Sequence, residues 1–118
     1  HMHHLKSIHT DGAPAAIGPY SQACTAGGFL FAAGQIGIDP ELGELVGPGI
    51  REQAHRVFVN LRAVLEAGGA GFGDVVKTTV YVADMADFAE LNAIYAEHFS
   101  EPYPARATIE AGALPLGA

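Results

Sequence analysis

Ile50-Arg51-Glu52-Gln53-Ala54-His55-Arg56-Val57-Phe58-Val59-Asn60-Leu61-Arg62-Ala63-Val64-Leu65-Glu66-Ala67 is the stretch on which the fold turns. Its apolar residues Ile50, Ala54, Val57, Phe58, Leu61, Val64 and Leu65 recur three and four apart, so a helix stacks them into one stripe. Gly68-Gly69 then stops the helix, because glycine accepts the left-handed backbone of many helix ends. A helix apolar on one face needs a sheet to lie on, and the flanking sequence supplies strands. Downstream, residues 75–82 (VVKTTVYV) are rich in β-branched side chains, with Val76, Thr78, Val80 and Val82 alternating against Val75, Lys77, Thr79 and Tyr81. This pattern predicts a central strand. Asp84 is the expected N-cap of a second helix over about residues 86–99, with Phe88, Leu91, Tyr95 and Phe99 on its apolar face. Pro102 and Pro104 break the chain, and residues 105–111 read as a further strand.

Upstream, residues 22–25 and 29–33 flank Ala26-Gly27-Gly28, which predicts a hairpin whose glycines supply positive φ angles. Gly34 ends the second strand, Asp39-Pro40-Glu41-Leu42-Gly43 makes another turn, and residues 5–21, with Ala13-Pro14 and Gly18-Pro19, form a shaped loop. The order hairpin, helix, strand, helix, strand predicts an α+β fold, one domain over residues 1–118, with two helices on one face of a mixed sheet. So short a chain cannot cover the other face, so side chains such as Tyr81 or Val80 there are expected to be buried by further copies of the chain.

Hydrophobic residues make up 49% and charged residues 16% of the 118, and no apolar run nears the roughly 20 residues that cross a bilayer. A soluble protein away from membranes is expected. Cys24 is the single cysteine, without a partner in its own chain, and no secretory leader is evident, which points to the cytoplasm. Six Lys and Arg against 13 Asp and Glu give a net charge of −7, which would repel a phosphate backbone, so nucleic acid is not an expected partner. His1-Met2 reads as a protease-site scar; residues 1–4 are expected to be partly tag-derived and flexible, and metal binding by His1, His3 or His4 would be an artefact.

No metal-ligand spacing, phosphate-cradling loop or nucleophile elbow is present, which predicts chemistry without a metal or organic cofactor. Arg106, one of only six basic residues, begins a predicted strand in Tyr103-Pro104-Ala105-Arg106-Ala107-Thr108. A guanidinium held there offers a planar fork that fits a carboxylate, and thus a small carboxylic-acid substrate; an ion pair with a neighbouring acid is the alternative. Tyr20, stiffened by Gly18-Pro19, places a phenol either at a pocket edge or as a plug over the core. Asn92 shares a helical face with Phe88, Tyr95 and Phe99, so it is expected to face inward, as a site residue or as an amide bonded to backbone. Cys24 and His55 make a poor nucleophile and base, since neither has a visible orienting partner. His98 near the end of the second helix reads as a cation facing the helix dipole.

Ala13-Pro14-Ala15-Ala16-Ile17-Gly18-Pro19-Tyr20-Ser21-Gln22-Ala23, Gly34-Gln35-Ile36, Asp39-Pro40, Gly43, Gln53, Asn60-Leu61, Asp74-Val75-Val76-Lys77-Thr78-Thr79-Val80, Asp87-Phe88, Asn92, Tyr95 and Pro104-Ala105-Arg106 together resemble the signature of the Rid family, the YjgF or RidA-like proteins. The blocks are collinear from about residue 13 to 115, which makes the resemblance far more specific than one short motif. It implies a chorismate-mutase-like fold and a homotrimer with clefts between subunits. It also implies hydrolysis of 2-aminoacrylate-type enamines and imines to a 2-keto acid and ammonia. Arg106 would clamp the substrate carboxylate, Tyr20, Asn92, Gly34 and Ala33 would line the cleft, and Thr108 falls where many members carry cysteine. Ala33 stands where many active members have serine, and Ala107 replaces another serine. Members also continue past Ala118 with a strand whose glutamate positions the attacking water. Two other readings stay open: a non-catalytic module that binds small metabolites or partner proteins, and an endoribonuclease or translation inhibitor, which the negative charge and the lack of a histidine pair disfavour.

Overall fold

The computed structural model describes residues 4–118; the scar reading of His1, Met2 and His3 lies outside the described residues. The long helix α1 spans Ile50–Ala67, as its periodicity predicts, and buries Ala54, Phe58, Val64 and Leu65. A Glu52 carboxylate oxygen accepts from the Gly49 N–H at 3.0 Å, satisfying one of the amides a helix start leaves open. At the other end Gly69 takes φ 80°, and the Ala70 N–H donates back to the Leu65 carbonyl at 2.8 Å.

Strands β2 (Ala23–Ala26) and β3 (Phe29–Ala32) form the predicted hairpin, with Gly27 and Gly28 at φ 59° and 83°. The loop reading of residues 5–21 needs correction at its start, where β1 (Lys6–Ile8) pairs antiparallel with β2. Two further strands, β4 (Ile38–Asp39) and β5 (Glu44–Leu45), flank the predicted turn. There Asp39 Oδ1 accepts from the amides of Glu41 and Leu42, and the Gly43 N–H donates to the Asp39 carbonyl. Such two- and three-residue strands owe their conformation to their partners rather than to local propensity.

β6 (Lys77–Val82) lies parallel to β7 (Ala105–Glu110), in register from Lys77 opposite Ala105 to Val82 opposite Glu110. Two expectations change here. β6 starts two residues late because Val75 closes the 3-10 helix Phe72–Asp74, and it is not central, since among the described residues only β7 pairs with it. Among the described residues hydrogen bonding makes three separate ladders, β1-β2-β3, β4-β5 and β6-β7, in place of one mixed sheet. An apolar cavity of about 1150 Å³ lies among β3, β6 and both helices, lined by residues such as Leu30, Val57, Leu61 and Val80.

The second helix is shorter than its pattern. Asp84 Oδ1 accepts from the Ala86 N–H at 2.9 Å and so caps the 3-10 helix Met85–Asp87, after which α2 runs only from Phe88 to Tyr95. The main core joins Ala54 and Phe58 of α1 to Val82, Leu91, Ile94, Tyr95 and Phe99, and a smaller cluster joins Ala13, Ala23 and Val64. Each large apolar side chain buried this way contributes about 1.5–3 kcal/mol. Val80 packs against the main core, not on the bare face as expected, because it alternates with Tyr81. Tyr81 is 56% exposed and its register partner Ile109 is 46% exposed, so the face away from the helices carries bare apolar side chains. Among the described residues no helix is long and apolar enough to cross a membrane.

Candidate functional site

Arg106 is the second residue of β7, opposite Thr78 of β6. Paired residues of a parallel ladder project to the same face, and here Thr78 meets Tyr95 of α2, so Arg106 also reaches toward α2. Its Nη1 donates to Asn92 Oδ1 at 2.6 Å, and its guanidinium carbon lies 4.7 Å from the centre of the Tyr95 ring and 5.5 Å from that of Phe88. Phe88, Asn92 and Tyr95 are spaced four and three apart, so one stripe of α2 makes all three contacts. The ion-pair alternative for Arg106 does not hold: among the described residues no acidic side chain pairs with it. An exposed guanidinium with five N–H groups, one of them given to a neutral amide, keeps a planar donor fork for a carboxylate.

The other expected residues fall into separate places. Asn92 is exposed rather than inward-facing, and it bonds Arg106 rather than backbone, because the site face of short α2 lies beside β7. Tyr20 is 52% exposed, which removes its reading as a core plug. Its loop is tied down by buried Gln22, whose Nε2 donates to the carbonyls of Thr10, Ala13 and Pro14 while its Oε1 accepts from the Thr10 N–H. The Gln22 carbonyl also accepts from the Ala33 N–H at 2.9 Å, which joins this loop to the end of β3. Half-buried Ala33 and exposed Gly34 line the apolar cavity beside β3. Thr108, half-buried two residues beyond Arg106, has a buried hydroxyl with no hydrogen-bond partner among the described residues. No hydrogen bond among the described residues joins Tyr20 or Ala33 to Arg106 or Asn92. One group stands at the end of β3 and the other on β7 and α2.

Sequence reasoning missed Phe88, Tyr95 and Thr78 as neighbours of Arg106; the four-and-three spacing around Asn92 was the available signal. His98 also departs from its reading as a cation. Its ring stacks on Phe58 at 4.3 Å and its two nitrogens are buried without partners among the described residues. Burial, aided by the Arg62 charge, holds its pKa below the ordinary 6.5 and favours the neutral ring, while Glu97 opposes this.

The family described as Endoribonuclease L-PSP matches residues 10–118. A RutC family protein of Pyrococcus horikoshii is 54% identical over 108 residues, which cover 92% of this chain and 86% of that protein. A mouse protein named 2-iminobutanoate/2-iminopropanoate deaminase is 48% identical over 112 residues, covering 95% of this chain and 83% of the relative. The crystal structure of RidA from an Antarctic Psychrobacter superposes with a TM-score of 0.90 at 48% identity, covering 95% of this chain and 90% of the other. The mixed α+β fold with two helices and small sheets is thus shared, and this chain belongs to the Endoribonuclease L-PSP family, the family of the Rid proteins.

Proposed function

We propose that this protein is an enamine and imine deaminase that converts 2-aminoacrylate-type intermediates to a 2-keto acid and ammonia. The observation that carries the reading is Arg106, exposed, without an acidic partner among the described residues, and held by Asn92 on a family scaffold whose mouse relative is named 2-iminobutanoate/2-iminopropanoate deaminase. The guanidinium binds the substrate carboxylate. Water adds to the electrophilic imine carbon and one of its protons passes to nitrogen, after which the hydroxyl proton of the carbinolamine also moves to nitrogen as the C–N bond breaks, giving the ketone and ammonia. The balance is one C=N bond and one water consumed, one C=O bond and one ammonia formed, with no redox step and no metal or organic cofactor. Most of the rate comes from proximity and water placement.

The working unit is a homotrimer of single-domain, chorismate-mutase-like subunits, acting in the cytoplasm without membrane or nucleic-acid partners. Two features support clefts between subunits: the bare face around Tyr81 and Ile109, and the separation of Tyr20, Ala33 and Gly34 from Arg106, Asn92 and Thr108. In this arrangement Tyr20, Ala33 and Gly34 of one subunit face Arg106, Asn92 and Thr108 of the next.

Coupled measurement of keto acid from freshly generated 2-aminoacrylate, with and without the protein, tests the activity. A second reading, binding without turnover, is favoured by the absence of hydroxyls at Ala33 and Ala107. Tight 2-ketobutyrate binding with no acceleration of imine hydrolysis would select it.

A further inference from the structure

The carboxylate fork is only as selective as the geometry that holds it. An arginine at the start of an exposed strand has four flexible side-chain torsions, and a hydrogen bond from one nitrogen leaves the plane of the guanidinium free to turn. In this chain Arg106 has more than that one contact. Its guanidinium carbon stands 5.5 Å from the Phe88 ring and 4.7 Å from the Tyr95 ring, with the bond to Asn92 between these two residues on the same helix. The Tyr95 ring is itself fixed. It is buried, packs on Phe99 at 4.4 Å and meets Phe58 edge-on at 6.0 Å, and its hydroxyl shares a 2.8 Å hydrogen bond with Thr78 Oγ1. Thr78 is the residue opposite Arg106 in the β6-β7 ladder. One rung of the sheet therefore carries both the guanidinium and the brace of the ring beneath it.

We propose that Phe88 and Tyr95 form an aromatic bracket, braced by Thr78, that positions the Arg106 guanidinium so that its free N–H edge meets a carboxylate in one orientation. These are positioning residues, acting through Arg106 rather than on the substrate. A guanidinium stacks on aromatic faces and presents a rigid fork, whereas a lysine ammonium is a point charge that gains little from such a plate. The bracket thus makes recognition of a planar carboxylate a property of the helix and sheet together. It rests on the reading of Arg106 as the carboxylate clamp.

The test measures imine hydrolysis and competitive inhibition by 2-ketobutyrate in Phe88→Leu, Thr78→Val, Thr78→Ser, Arg106→Lys and Arg106→Ala variants and in the Phe88→Leu/Arg106→Lys double variant. Phe88 is half-buried, so its replacement by leucine leaves the core in place. Phe88→Leu is expected to raise KM and the 2-ketobutyrate inhibition constant together by about two- to fivefold, the worth of one exposed cation–π contact, with kcat little changed. Thr78→Val is expected to do the same, and Thr78→Ser to restore the parent values. In the Arg106→Lys background the Phe88→Leu effect is expected to vanish, which a general loss of stability would not produce. Parent-like KM and inhibition constants in both Phe88→Leu and Thr78→Val, with Arg106→Ala still impaired, would overturn the bracket and leave the clamp standing. An equal effect of Phe88→Leu with and without Arg106 would also overturn it. Full activity of Arg106→Ala would instead remove the clamp on which the bracket rests.

Discussion

Replacing Arg106 by alanine separates chemistry from folding in a way few substitutions here can. The side chain is exposed, and its contacts are one hydrogen bond to Asn92 and two ring faces, Phe88 and Tyr95. Exposed cation–π contacts are worth about 0.5–1 kcal/mol each and a surface hydrogen bond about 0.5–1.5 kcal/mol, so the fold loses at most about 3.5 kcal/mol. The melting temperature should then fall by no more than about 15 °C, and the secondary structure should stay intact. Catalysis has more to lose. A hydrogen bond from a charged group to a substrate carboxylate is worth about 1.5–3 kcal/mol, and 1.4 kcal/mol is a factor of ten, so kcat/KM should fall by roughly 10- to 150-fold. A bidentate contact puts the loss at the upper end. Arg106→Lys should lie between parent and alanine, since it keeps the charge and loses the fork. The assay generates 2-aminoacrylate in place, follows the keto acid with a coupled dehydrogenase, and corrects for the folded fraction by circular dichroism. Parent-level kcat/KM in well-folded Arg106→Ala would refute the clamp, and so would a loss no larger than the loss of folded protein.

Three further outcomes follow from the packing. Asn60 is fully buried, its Nδ2 donating to the carbonyls of Ile36 and Ile38 and its Oδ1 accepting from Arg56 Nε. Asn60→Ala strands these groups at about 1–3 kcal/mol each, so the midpoint of urea unfolding should drop sharply with the slope unchanged. His98 is held neutral in the fold, so the unfolded chain binds the extra proton: its contribution to stability should be full above about pH 6.5 and decline as pH falls toward its lowered folded value. Unfolding free energies between pH 8 and 5 should therefore slope less in His98→Leu than in the parent, and equal slopes would rule this out. Tyr81→Glu places a charge on the bare sheet face, and on the proposal of a homotrimer light scattering should show smaller species than for the parent while the single-chain fold is retained.

What the sequence discloses depends on how local the cause is. Helix α1 is legible to the residue because its stripe is a property of eighteen consecutive side chains, and the Gly27-Gly28 hairpin because a positive φ narrows the choice of residue. Strands β1, β4 and β5 were hidden, since two or three residues take their ladder from partners up to 19 positions away, as Lys6 does from Thr25. α2 shows why the site was only half legible. Its pattern marks Phe88, Leu91, Tyr95 and Phe99 as one apolar face, and Leu91, Tyr95 and Phe99 do enter the core. Phe88 and Asn92, however, sit on the flank of that face, beside the start of β7, where Arg106 rather than another apolar residue comes to meet them. Periodicity reports which side of a helix faces the protein, but not which strand end lies against its margin. Tyr95 belongs to both margins, packed on Phe58 and Phe99 within and lying under Arg106 without. The orientation of the Arg106 guanidinium is thereby tied to the aromatic core, and, with Arg106 as the proposed clamp, a substitution that loosens the packing around Phe58 should blunt carboxylate binding before it unfolds the chain.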